Sequence, residues 1–241
     1  MLEGKSILAI IPARGGSKGL KKKNIKELCG KPLLCWSIDA GLKSKYIDEI
    51  MVTTDDNQIA DVAENYGAKV PFIRPKFLAR DSTPTYNVIE HVIGYYKSIL
   101  KKEFDYIVLL EPTSPLRECV DIDKSIEKLI NSKSAHSIVG ISKTESQNPS
   151  FLVLKNKQSY ISGYENSNIE VIRRQNIKNV FFLEGSIYIS KTDIYLHKKT
   201  FYHDTTLGYE IEKYKSLEID DIYDFVMIEA LMKYKSKNYG I

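Results

Sequence analysis

Over the first 140 residues, short unbroken apolar runs alternate with longer stretches in which apolar positions recur every three or four residues. Unbroken runs bounded by turn residues read as strands buried on both faces, and the periodic stretches read as amphipathic helices. On this basis Ile7 to Ile11 is a strand, Pro32 to Lys43 a helix opened by proline, Glu49 to Thr54 a strand, and Asn57 to Tyr66 a helix ended by Gly67. Val70 to Ile73 reads as a further strand. Val88, Val92, Tyr95, Tyr96 and Ile99 mark one helical face at i, i+4, i+7, i+8 and i+11, and Tyr106 to Leu110 is a central buried strand. A helix around Ile122 to Ile130 then precedes a strand from His136 to Ser142. This alternation predicts an α/β fold with a mostly parallel sheet flanked by helices.

Residues 145 to 180 depart from the pattern. They are polar and rich in Asn, Gln and Ser, and their short apolar runs at Phe151 to Leu154 and Tyr160 to Ile161 predict a hairpin inserted between core elements. The chain returns with Phe181 to Ile189. It finishes in a helix from about Asp221, where Phe225, Ile228 and Met232 keep helical spacing. With no internal repeat and no flexible linker, residues 1 to 241 read as a single domain carrying one insertion.

Composition changes this picture little: 43% hydrophobic and 27% charged residues are those of an ordinary globular protein. The apolar run from Ser6 to Pro12 is too short to span a membrane and has no charged leader, so no membrane partner is expected. Cys29, Cys35 and Cys119 form neither an even disulfide set nor a C-x-x-C pair; they read as packing residues in a reducing cytoplasm. The net charge of +4 is small. Lys21, Lys22 and Lys23 form a local cluster better suited to a small anionic ligand than to nucleic acid.

The candidate chemistry begins there. Ile11-Pro-Ala-Arg-Gly-Gly-Ser-Lys-Gly-Leu-Lys-Lys-Lys-Asn24 follows the first strand directly, at the strand end where doubly wound folds bind ligands. Gly15, Gly16 and Gly19 let backbone amides turn toward an anion, and Arg14, Lys18 and Lys23 add positive charge, as a triphosphate requires. The spacing matches neither G-x-G-x-x-G nor G-x-x-x-x-G-K-[ST], which argues against a dinucleotide fold and a Walker ATPase. Near the C-terminus, an extended Leu217 to Ile219 would point Glu218 and Asp220 to one side, where two carboxylates can converge on one ion. Asp221 would face away and cap the last helix. Asp55 and Asp56, at the C-terminal end of the Met51-Val-Thr-Thr54 strand, form a second acidic candidate, for which helix capping is favoured over catalysis. His91, His136, His197 and His203 lie outside these motifs and read as surface or packed histidines.

Three further strings extend the pattern in order along the chain: Leu110-Glu-Pro-Thr-Ser-Pro-Leu-Arg117, Gly185-Ser-Ile-Tyr188 and Glu218-Ile-Asp-Asp221. Together with the glycine-lysine loop they resemble the CMP-sialic acid synthetases, or acylneuraminate cytidylyltransferases, a family that includes CMP-legionaminic acid synthetases. The resemblance implies a Rossmann-like sheet of the nucleotide-diphospho-sugar transferase type, a dimerisation role for residues 145 to 180, and a homodimer. It also implies transfer of CMP from CTP to the anomeric hydroxyl of an acidic nine-carbon sugar, with Mg²⁺ held by Glu218 and Asp220. Carried over residue by residue, the nucleotide would meet Ala13, Arg14, Gly15, Gly16, Ser17, Lys23 and Asn24 on one side and Arg74, Asp81, Ser82 and Thr83 on the other. Arg14, Lys18, Lys23 and Asp220 would serve catalysis. The sugar would meet Glu111, Thr113, Ser114 and Arg117, with its carboxylate on Arg174.

The chain departs from the family pattern at three places. Lys21 stands where proline is common, Glu111 where sialate members tend to carry glutamine, and Glu218 is a glutamate in the first metal position. An acidic Glu111 facing the sugar favours a substrate with a cationic amidino group or extra hydroxyl donors. On the residues alone, Asp81-Ser-Thr-Pro84 equally fits a helix start. Two other readings stay open: a cytidylyltransferase for another acidic sugar, such as pseudaminic or 3-deoxy-octulosonic acid, and a nucleotide-binding module without catalysis.

Overall fold

The computed structural model describes residues 4–144, 148–164 and 178–239. The central sheet contains β1 (Ile7–Pro12), β4 (Glu49–Thr53), β5 (Tyr106–Leu109), β6 (Ser137–Lys143), β9 (Phe181–Lys191) and β10 (Thr206–Glu210), in the order β10-β6-β9-β5-β1-β4. Every neighbouring pair is parallel except the two made by β9, which runs antiparallel to both β5 and β6. The expected α/β class with a mostly parallel sheet is therefore what the chain forms.

β1 explains the layering. It is buried on both faces: Ile7, Ala9 and Ile11 face one core, and Leu8 and Ile10 face the other. The first core takes Leu34, Cys35 and Ile38 of α1 (Leu33–Leu42), Ile59 and Ala63 of α2 (Asn57–Asn65), and Ile122, Ile126 and Leu129 of α4 (Cys119–Ile130). The second takes Ile89, Val92 and Tyr96 of α3 (Thr85–Ser98) and Tyr195 of α5 (Thr192–Lys198). Helices thus cover both faces, which is why the central strand has no polar alternation. A third cluster joins Phe225 and Ile228 of α6 (Ile222–Tyr239) to Leu28, Leu33, Leu116 and Ile219, and so draws the C-terminal segment beside the loop after β1. Leu28 ends β2 (Glu27–Leu28), which pairs antiparallel with β3 (Lys31–Pro32), and Leu33 follows β3 directly.

Three expectations change. Val70 to Ile73 is not a strand: only isolated bridges form here, Lys69 to Met51 just before the segment and Ile73 to Thr54 at its end, and Pro71 has no N–H to continue the ladder. The edge strand β10 and the seven-residue α5 were not expected. Asp81-Ser-Thr-Pro84 does lead into a helix, α3 beginning at Thr85, but its N-cap is Pro84 and no side chain of the string caps it. The inserted hairpin is present as β7 (Val153–Lys155) paired with β8 (Ile161–Gly163).

Candidate functional site

The parallel register decides where the site lies. Pro12 pairs with Thr53 and Ile10 with Leu109, so the segments that follow β1, β4 and β5 leave the sheet at one edge. β9 approaches this edge from the opposite direction. Tyr188 pairs with Leu109, which sets Glu184, Gly185 and Ser186 beside the residues that follow β5. Ile219 then joins from the C-terminal segment, its N–H donating to the Thr113 carbonyl at 2.9 Å.

The loop after β1 is tied down at both ends. The Ala13 N–H donates to the Thr53 carbonyl (3.0 Å), prolonging the β1–β4 ladder, and the buried Asn24 donates from Nδ2 to the Arg14 carbonyl (2.9 Å). Between them Ser17 N–H donates to the Gly15 carbonyl at 3.2 Å, while Gly16 is open to solvent. At Gly19 a Cβ would sit 2.4 Å from the backbone carbonyl of Asp220. Any larger residue would push the loop away from the acidic segment. Lys23 completes the junction: its Nζ donates to the Ile219 carbonyl (2.8 Å) and lies 3.6 Å from Asp220 Oδ1. Arg14, Lys18, Lys23, Asn24 and Asp220 are therefore brought together.

Carboxylates occupy the loop's anion-seeking groups. Asp81 forms ion pairs with both Arg14 and Lys18, which hold its carboxyl below the usual carboxylate range, Lys18 foremost. Asp55 accepts the Gly15 N–H at 3.0 Å. Asp56 caps α2 as expected, through Gln58 and Ile59 N–H, but Asp55 does not; its place is the loop. That role had no sequence signal beyond the paired acids.

A second group of acids lines the end of β5 and β9. Glu218 accepts the Gly185 N–H at 2.6 Å, and a Cβ at Gly185 would meet that carboxylate at 2.7 Å. Glu184, which sequence reasoning missed, is 2% exposed and held by Ser186 N–H (2.9 Å) and Oγ (2.7 Å). Burial raises all three of Glu111, Glu184 and Glu218, and Glu218 adds repulsion on the other two; Glu111 is pushed up to about 7. Asp220 in turn repels Glu218, while its own side chain is 83% exposed. Asp221 caps α6 as expected, accepting from Tyr223 (2.7 Å) and Asp224 (3.1 Å) N–H. Leu217 is extended, and the segment from Leu217 to Ile219 lies outside the sheet ladders.

The remaining expected residues divide. Thr113 and the fully buried Ser114, whose Oγ has no partner, lie on the turn after β5. Arg117 is 3% exposed and both terminal nitrogens of its guanidinium are engaged by the protein, Nη1 donating to the Ser186 (2.7 Å) and Glu111 (3.4 Å) carbonyls and Nη2 to Ser37 Oγ, while the buried Nε has no partner. It braces the strand ends from behind instead of facing a sugar. Arg74 is likewise buried, donating to the Thr53 and Leu78 carbonyls, and burial pushes it down to about 10. Thr83 bonds the Phe77 carbonyl (3.1 Å), and Ser82 is exposed. Arg174 lies outside the described residues.

The site thus sets a cationic, amide-lined loop against an acidic wall, the arrangement that can neutralise a polyphosphate and hold a hard cation beside it. The solved structure of a CMP:2-keto-3-deoxy-manno-octonic acid synthetase complexed with CTP shares the fold, with a TM-score of 0.70 at 17% identity over 95% of this chain and 99% of that one. A 4-diphosphocytidyl-2C-methyl-D-erythritol synthase from Anaerococcus prevotii also aligns, at a TM-score of 0.63 and 16% identity over 96% and 98% of the two chains. In sequence, the chain is 34% identical to an N-acylneuraminate cytidylyltransferase of Escherichia coli over 96% of its own length, spanning about half (53%) of that protein. It is 35% identical to a CMP-N,N'-diacetyllegionaminic acid synthase of Legionella pneumophila, over 94% of this chain and 96% of the other. A pseudaminic acid cytidylyltransferase of Campylobacter jejuni is 30% identical over 94% and 96%. The family model described as Cytidylyltransferase matches residues 8–236. With that match running from the first strand to the last helix, the chain belongs to the cytidylyltransferase family and is a nucleotidyltransferase.

Proposed function

We propose that the chain transfers CMP from CTP to the anomeric hydroxyl of a nonulosonic acid of the sialic acid type, N-acetylneuraminic or legionaminic acid, and releases pyrophosphate. The observation that carries this reading is the seating of Gly19 against Asp220, which keeps the cationic loop and the acidic segment in one site. The relatives named for such sugars supply the substrate class. In this reading the loop amides, Arg14 and Lys18 receive the triphosphate as Asp81 gives way. Lys23, already between Ile219 and Asp220, faces the phosphate oxygens that gain charge as pyrophosphate departs. The sugar lies over Thr113, Ser114 and Glu111, its hydroxyl in line with the α-phosphate. Arg117 holds the Glu111 and Ser186 carbonyls in place beneath it. No covalent enzyme intermediate is needed.

Glu218 and Asp220 are oxygen donors two residues apart, and the repulsion of Asp220 on Glu218 is what a bound cation would relieve. Among the described residues no three His, Cys, Asp or Glu side chains form a metal cage. The fit is therefore to Mg²⁺ carried in with the nucleotide, two carboxylates plus phosphate oxygens. When bound it would polarise the phosphates and screen their charge.

The hairpin exposes Leu154, Tyr160 and Ile161, and β9 begins with the exposed Phe181, Phe182 and Leu183. We assign this apolar surface to a second copy of the chain, giving a homodimer. Cys29, Cys35 and Cys119 are free thiols, in keeping with a reducing cytoplasm. Among the described residues no helix is long and apolar enough to cross a membrane.

The decisive experiment is pyrophosphate release over a panel of nucleotides and of nonulosonic and eight-carbon acids, with and without Mg²⁺. Release only with CTP, a nine-carbon acid and the metal is the expected result. Binding of CTP without release under any pairing would establish the non-catalytic module instead. Sizing in dilution, with mixing of Arg14→Ala and Arg174→Ala subunits, tests the dimer; a fully active monomer overturns it.

A further inference from the structure

Most carboxylates around the cleft are already engaged. Asp81 pairs with Arg14 and Lys18, Asp55 accepts the Gly15 N–H, Glu184 is held by Ser186, Glu218 accepts the Gly185 N–H, and Asp220 lies beside Lys23. Glu111 differs: among the described residues no donor bonds its carboxylate, and the side chain is only partly covered, so a ligand in the cleft can reach it. Its backbone is fixed all the same. The Glu111 carbonyl accepts from Ser37 Oγ (3.1 Å), Ser114 N–H (3.3 Å) and Arg117 Nη1 (3.4 Å), and Leu110 before it still donates to the Ile10 carbonyl (3.0 Å). A pinned backbone and an unbonded carboxylate thus meet just past β5, between the cationic loop after β1 and the acids of β9. A carboxylate left without donors is costly unless something bound to the protein supplies them. Burial, the leading cause, raises this carboxyl to about 7, which suits a proton acceptor working near neutral pH.

We propose that Glu111 is the general base that takes the proton of the sugar's anomeric hydroxyl, a role that rests on CMP transfer being the reaction, as proposed above. One bond forms, from the hydroxyl oxygen to the α-phosphorus. One breaks, from the α-phosphorus to the oxygen it shares with the β-phosphorus, and its electron pair leaves with pyrophosphate toward Lys23. The hydroxyl proton ends on a Glu111 carboxylate oxygen and returns to water from there, since the side chain is partly exposed. The histidines do not compete. His136 precedes β6 and His203 bonds Thr205 just before β10, so both lie at the strand starts, across the sheet from the cleft; His197 sits on α5, which begins at that far edge, and His91 packs on Phe72.

The test is steady-state pyrophosphate release from CTP and a nonulosonic acid with Mg²⁺ at pH 8, for the full chain, Glu111→Gln and Glu111→Ala. Glu111→Gln keeps the shape of the side chain but accepts no proton, and its kcat should fall roughly tenfold or more while the KM for the sugar stays within about threefold. Formate, a carboxylate small enough to enter the space left by Glu111→Ala, should restore the kcat of that variant roughly tenfold and leave the wild type and Glu111→Gln unchanged. Urea unfolding of Glu111→Gln keeps a folding defect apart from a chemical one. A smaller loss of kcat, a loss confined to KM, or no rescue by formate would each overturn the base. Wild-type turnover separates the two readings: release by the wild type with an unimpaired Glu111→Gln removes the base alone, whereas no release by the wild type with any nucleotide and acid removes CMP transfer and the base together.

Discussion

Replacing Glu111 by glutamine isolates the energetic cost of putting an acid at the end of the central strand. Burial, reinforced by Glu218, raises this carboxyl from 4.5 to about 7. An acid whose folded-state pKa lies above its unfolded value binds more protons when folded. Stability therefore falls as pH rises from about 4.5, and the full penalty is present once pH exceeds the folded value. At about 1.4 kcal/mol per pH unit the gap corresponds to about 3 kcal/mol at pH 8. Glutamine keeps the shape and has no proton to lose. Urea unfolding of both proteins at pH 5, 6, 7 and 8 should show the difference in free energy growing in favour of Glu111→Gln, from near its low-pH offset to about 3 kcal/mol above it. Any fixed cost of burying the amide appears as a constant offset and does not disturb the slope. Parallel curves across this range would refute the account, since the carboxyl would then be as well solvated folded as unfolded.

Other consequences can be checked alongside. Asp81→Asn frees Arg14 and Lys18, so CTP should bind several-fold tighter by calorimetry; weaker binding would mean that Asp81 itself holds the nucleotide. Gly19→Ala places a methyl against the Asp220 carbonyl, and a displacement near 1 Å should lower kcat/KM roughly 100-fold with little change in Tm. Lys215 is 2% exposed and bonds Asp121 (3.0 Å) and Glu118 (2.9 Å); Lys215→Met strands the buried Asp121 and should cost about 3–5 kcal/mol in urea unfolding.

The sequence conveyed those features whose cause is local. The all-apolar β1, the glycines after it and the helical spacing along α3 and α6 each carry their own signal, and each lies where it was expected. What stayed hidden depends on distant partners. Arg117 looks like a ligand-facing residue beside Thr113 and Ser114, and only the return of β9 with the Ser186 carbonyl turns it into an internal brace. Glu184 precedes a recognisable string but gives no sign that Ser186 and burial will engage it. Asp55 and Asp56 are neighbours of one chemical type, and the fold gives one to a helix and the other to a loop amide. Thr206 to Glu210 lacks a strong strand pattern, with Gly208 at its centre, and is recruited by pairing with β6.

The position of β9 shapes how the protein is made. Until residues 181 to 191 have been synthesised, β5 and β6 have no bond to each other, and each presents an unpaired row of amides and carbonyls. The nascent chain therefore carries an open slot through the middle of its sheet, filled late and from far along the sequence, a slow step that leaves sticky edges exposed. Fragments ending before Phe181 should aggregate instead of forming a smaller stable unit, and on the ribosome the slot is a natural place for a chaperone to guard.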